Sequence, residues 1–93
     1  MIYDTVIVGA GAAGGVLAAR LSEDPSRHVL LLEPGPDYPD IETLPEDLKN
    51  GVNGWIDQPE NPHNWDYRAR GTDISDPIVV PRGRVTGGST AIN

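Results

Sequence analysis

The chain has 93 residues, with 11 Gly, 9 Pro, 2 Trp, 3 Tyr and a hydrophobic share of 38%. It is too turn-rich and too sparsely apolar for a collagen, a coiled coil or a transmembrane bundle. Its formal charge of −7, from 14 acids against 7 bases, repels nucleic acid and anionic membrane; no Lys or Arg cluster supplies a basic face, so neither partner is expected. The absence of Cys excludes disulfides, thiolate metal sites and cysteine catalysis, and His28 and His63 are not spaced as a metal pair.

In chain order, Tyr3 to Val8 is β-branched and apolar with a hard stop at Gly9, which reads as a strand buried on both faces of a parallel sheet. The uncharged run Thr5 to Ala19 follows Asp4 with no basic residue before it and carries four glycines. It therefore does not read as a signal peptide, is too short to span a bilayer, and leaves a cytoplasmic protein as the expectation. Ala12 to Leu21 favours helix and stops before Asp24-Pro25. Val29 to Leu32 is a second apolar run, ended by Glu33-Pro34-Gly35, so residues 1–35 predict a right-handed βαβ unit.

Residues 36–77 form a loop-rich acidic segment, and the wider span 33–66 carries a charge of −8. A short helix at Ile41 to Lys49 is the element predicted here, as a solvated acidic turn. His28 and His63 read as surface residues; Trp65 and Tyr67 alternate as strand residues do, which points to core or interface packing. In residues 78–93, Ile78 to Val80 predicts a short strand and Gly87-Gly88-Ser89-Thr90 a turn entering another helix. Arg82 and Arg84 read as solvated residues flanking that loop.

Two features carry chemistry. Gly9-Ala10-Gly11-Ala12-Ala13-Gly14 has the G-x-G-x-x-G spacing directly after a strand and opening a helix. Gly9 permits the tight turn, Gly11 admits a pyrophosphate, and Gly14 lets helix and strand approach, while the first helical amides, from Ala12 and Ala13 onward, and the positive end of the helix dipole hold the phosphates. Glu33, 19 residues after Gly14, ends the second strand where a carboxylate accepts bonds from both hydroxyls of an adenosine ribose. A nicotinamide-binding dehydrogenase half shares both features.

The runs Tyr3 to Gly9, Leu17 to Ser22 and Leu31 to Gly35, with Pro81-Arg82-Gly83-Arg84-Val85-Thr86-Gly87-Gly88-Ser89-Thr90-Ala91-Ile92-Asn93, resemble the amino terminus of the glucose/methanol/choline (GMC) flavoprotein oxidoreductases. Trp65-Asp66-Tyr67 stands where that family often has Trp-x-Tyr, and Thr86 departs from its usual apolar residue. The resemblance implies an α/β, partial Rossmann-like FAD-binding fold, incomplete as a domain and without the substrate domain. It implies FAD contact at Gly87, Gly88, Ser89 and Asn93 as well as at the first glycine turn and Glu33; on a purely local reading, Gly88 or Ser89 caps a helix. The chemistry it implies is alcohol oxidation, with a base taking the hydroxyl proton while hydride passes to flavin N5. No residue of the chain matches that base, so the expectation is an inactive, truncated segment, or else a non-catalytic product or partner chain. Ile92 stands where some members carry a flavin-bonding His, which implies noncovalent FAD.

Overall fold

The β-branched run that halts at Gly9 forms β1 (Thr5–Val8), and the apolar run before Glu33 forms β2 (Val29–Leu32), in a computed structural model that describes residues 1–50 and 58–93. The two strands pair in parallel, from Thr5 opposite Val29 to Val8 opposite Leu32. Between them runs α1 (Ala12–Leu21), closed by the Ser22 amide donating to the Ala18 carbonyl. Strand, helix and strand are where the hydrophobic pattern puts them, as a Rossmann-like βαβ unit.

Burial is less complete than a doubly covered strand requires. Ile7 is buried, but Val6 and Val8 on the opposite face of β1 are 54% and 82% exposed. The covered face is the one α1 packs on, and Gly14 is the only buried residue of that helix. A Cβ on Gly14 would collide with the Gly9 carbonyl and lie 3.3 Å from Ile7 Cγ2, so helix and strand meet only because that position has no side chain.

The expected helix over Ile41 to Lys49 is two pieces. A 3₁₀ turn at Ile41–Thr43, whose start is capped by Asp40 Oδ1 accepting from the Glu42 amide at 3.0 Å, is followed after Leu44 and Pro45 by α2 (Glu46–Lys49). Pro45 disfavours helical backbone at the residue before it, and Leu44 accordingly sits at φ −59°, ψ 129°. Within the segment 36–77 a short strand the sequence did not assign, β3 (Tyr67–Ala69), pairs antiparallel with the expected strand β4 (Ile78–Val80), and an isolated bridge joins Asn64 to Gly83 beyond it. Residues 51–57, part of the same expected loop, lie outside the described residues. The turn at Gly87 leads into the further helix expected there, which is a 3₁₀ helix, Gly88–Ile92.

The buried apolar residues among those described are Ile7, Ala10, Val85 and Ile92. The radius of gyration of 16.1 Å exceeds the ~12 Å expected for a compact domain of this length. Gly14 and its neighbour make a matched test of the packing. Gly14→Ala should destabilise the chain by about 3 kcal/mol, because the methyl has only the Gly9 carbonyl to displace. Gly15→Ala, with nothing within 4 Å of its new methyl, should stabilise the helix by about 0.5–1 kcal/mol. Urea unfolding followed by circular dichroism checks both; equal shifts in the same direction would refute the close-approach argument.

Candidate functional site

The first glycine turn is built on backbone conformations that side chains disfavour. Gly9 has φ +95° and donates its amide to the Leu32 carbonyl at 2.7 Å, closing the end of the parallel pair. Gly11 then takes the N-cap position of α1 in extended conformation, and no side chain caps the helix. The first amides of α1 thus lack a side-chain acceptor, as an anion-holding helix start requires.

The second glycine turn docks on the first. Gly87, at φ +100°, donates its amide to the Ala10 carbonyl at 2.8 Å, and a Cβ on Gly88 would lie 2.9 Å from Gly11 Cα. Gly83 abuts the Gly88 carbonyl in the same way, while its amide donates to Ser89 Oγ at 3.1 Å. Glu33 fastens the other side: Oε2 accepts from the Ala10 amide and Oε1 from the Gly35 amide, each at 2.9 Å. A carboxylate offers about four acceptor positions, so two remain for further donors.

These contacts enclose a cleft of about 730 Å³ that brings together Gly9, Gly11, Glu33, Gly88 and Ser89. Ala12 and Gly87 line a neighbouring groove with Gly11. Ala13 is exposed on α1, Gly14 is buried beneath the turn, and Asn93 is exposed and lines neither space. The cleft also recruits Trp65, Tyr67 and Arg82, which the sequence did not assign to a site. Core packing of the aromatic pair is corrected here: Trp65 and Tyr67 are 39% and 52% exposed, their rings parallel within 3° at 5.9 Å, with the Arg84 guanidinium 5.7 Å from the Trp65 ring. The alternation that marks a strand face was legible; that this face borders a cleft was not. Arg82 and Arg84 are exposed, as expected.

His63 is the clearest departure from expectation. Read as a surface residue, it is 3% exposed, because both ring nitrogens and its backbone find partners inside the protein. Nδ1 lies 2.6 Å from Asp47 Oδ2 and Nε2 lies 2.8 Å from the Tyr38 hydroxyl, while the ring meets Tyr38 edge-on. Asn61 Nδ2 donates to the same Asp47 oxygen at 3.0 Å, and Asn61 Oδ1 accepts the His63 amide at 2.7 Å. Asn61-Pro62-His63 reads as a loop by composition, and the partners lie 14 to 25 residues away, so no local pattern announces the cluster. His28, by contrast, is exposed as expected, its amide bonded to Asp4.

The model of the NAD(P)-binding Rossmann-like domain matches residues 7–70, more than half of the chain. The chain belongs to that family. Within this Rossmann-like family the chain is 39% identical to pyridoxine 4-oxidase of Microbacterium luteolum and 41% identical to mitochondrial choline dehydrogenase of Mus musculus, over 98% of its length in both cases. Among solved structures it superposes on pyridoxine 4-oxidase from Mesorbium loti with a TM-score of 0.76 at 38% identity, and on a formate oxidase with 0.74 at 33%. It covers 99% and 98% of itself in these two superpositions. The chain spans 16–17% of the length of these relatives. They are GMC oxidoreductases matched over an amino-terminal segment, so the resemblance read from both glycine motifs holds. No helix among the described residues is long and apolar enough to cross a membrane.

In this Rossmann-like chain the Asp47 carboxyl has a defined acid response. Burial raises its pKa, but the bonds from His63 and Asn61 and the attraction of His63 together outweigh burial and hold it below the ordinary 3.8. With the folded value below the unfolded one, this stabilisation is complete above the unfolded value and is lost as pH falls through the folded value. Asp47→Asn should therefore cost roughly 1–2 kcal/mol near neutral pH and flatten the decline in stability below about pH 4. Urea midpoints measured across that range test it; an acid decline as steep in the variant as in the wild type would remove Asp47 from the account.

Proposed function

We propose that the chain is the FAD-binding amino-terminal segment of an oxidoreductase acting on the CH–OH group of alcohols, holding the flavin noncovalently. The observation that carries this reading is the contact of Gly88 with Gly11, which makes one cleft of two glycine motifs and sets Glu33 on its border. The residues fit a dinucleotide: the uncapped start of α1, from Ala12, Ala13 and Gly14, supplies amides to the pyrophosphate over Gly9 and Gly11, and Glu33 has acceptor positions left for ribose hydroxyls. Gly88 and Ser89 border the same space, Gly87 lines the neighbouring groove, and Asn93 follows in the same motif. Bound there, FAD supplies a two-electron acceptor for hydride, while the chain binds and orients it. The names of the matched relatives, choline dehydrogenase, pyridoxine 4-oxidase and formate oxidase, support an oxidoreductase role.

A nicotinamide dinucleotide is the second reading, favoured by the description of the matching family model. That match ends at residue 70, before the Gly87-Gly88 motif, whereas the oxidase and dehydrogenase relatives match almost the whole chain. The absorbance of the bound cofactor separates the two, since only a flavin gives a yellow spectrum.

Gly11→Val should abolish FAD loading, because its branched side chain would enter the space the pyrophosphate needs. Glu33→Ala should weaken loading by roughly 1.5–3 kcal/mol through lost ribose bonds. Titration of the chain with FAD, followed by flavin fluorescence, reads both; normal binding by Gly11→Val would end the dinucleotide assignment. The flavin should also be released intact by acid precipitation. Ile92 has no nucleophilic atom and is buried, and both His63 nitrogens are engaged by Asp47 and Tyr38. Yellow colour kept in the precipitate, with a flavin adduct on a peptide of this chain, would refute noncovalent binding.

A further inference from the structure

The Tyr38–His63–Asp47 cluster lies outside the cleft, yet it is joined to the cleft by the backbone of His63. The His63 carbonyl accepts the Arg84 amide at 2.8 Å. On one side of Arg84, Gly83 packs against the Gly88 carbonyl and bonds Ser89. On the other, the Thr86 amide donates to the Pro36 carbonyl at 3.0 Å and Val85 is 1% exposed. The His63 carbonyl is thus one of several links from the second glycine turn back to the acidic segment, beside the Pro36 carbonyl and the Asn64 side chain that accepts the Arg82 amide at 3.2 Å. That carbonyl belongs to a residue whose imidazole is held at both nitrogens.

We propose that Tyr38, His63 and Asp47 are positioning residues for the dinucleotide cleft: they lock the His63 ring, and the His63 carbonyl then sets the Gly83–Gly88 turn against Gly11. The reading of the ligand as FAD underlies the binding arm of this inference but not its structural arm. The geometry is directional. Asp47 accepts from Nδ1–H, which leaves Nε2 of a neutral ring as acceptor for the Tyr38 hydroxyl; a protonated ring donates to the same oxygen instead. Either ring state keeps both contacts, so the lock does not depend on His63 changing charge. Asn61 completes it by holding the Asp47 oxygen and the His63 amide together. Removing one end leaves a buried polar atom without its partner, and the ring then has a reason to turn.

The test uses the full chain and two readouts. Amide hydrogen exchange without flavin should quicken about tenfold at residues 82–88 in Tyr38→Phe and Asp47→Asn, while residues 12–18 stay unchanged. FAD titration of the same variants should show the dissociation constant rising about 5- to 20-fold. His63→Gln supplies the discriminating variant, since its amide can donate to Asp47 and accept from Tyr38; it should bind within about 3-fold of the wild type, whereas His63→Leu should not. Uniform acceleration across both segments would reduce the cluster to general stabilisation and overturn the proposal. So would unchanged exchange at 82–88, or His63→Gln behaving as His63→Leu. If the wild type binds no FAD but the local exchange effect is present, the FAD reading fails and the positioning role stands.

Discussion

Two turns separated by most of the chain meet main chain to main chain: the Gly87 amide donates to the Ala10 carbonyl, and Gly88 rests against Gly11 with no Cβ between them. Nearly everything else at the site follows from that contact. It fixes how far the Gly83–Ser89 segment stands from the start of α1, and so the width of the cleft above them. It also asks for residues that tolerate φ of +100° and +62° in succession, which side chains rarely do. Two glycines in a row serve both needs, so the motif has a purpose in the folded chain that precedes any ligand.

Glu33 links the same contact to the sheet. Its carboxylate accepts from Ala10 and Gly35, so it braces the glycine turn from the end of β2 and keeps two acceptor positions for further donors. One side chain therefore shapes the site and, in the proposed reading, also binds in it. The bonds from the Ala10 and Gly35 amides also share the charge of an acid that stands beside the start of a helix.

What could be read from the sequence divides by range. The βαβ unit follows from local runs and stops, both glycine motifs are contiguous patterns, and Glu33 is found by its place at the end of the second apolar run. The break at Pro45 was legible from a single residue, yet the helical composition of Ile41 to Lys49 masked it. The hairpin of β3 with β4 was only half legible, because the alternation of Trp65 and Tyr67 gives way to Arg68-Ala69-Arg70, whose charges hide a strand that pairs with Ile78 to Val80. His63 was not legible at all. Its burial depends on Tyr38 and Asp47 arriving from 25 and 16 residues away, and composition around it says only loop.

The charge distribution resolves an apparent conflict. A chain of net charge −7 is a poor host for a diphosphate if its charges act as one field. At physiological ionic strength, however, exposed charges are screened over about 8 Å, so the residues bordering the cleft matter more than the total. Those are Glu33, Arg68 and Arg82, a local balance of +1, added to the positive end of α1. Much of the acidity sits instead in the segment from Asp37 to Asp47, where Asp40 caps a 3₁₀ turn and Asp47 receives His63 and Asn61. The acids there are thus partly structural, and none of the segment from Asp37 to Asp47 lines the cleft.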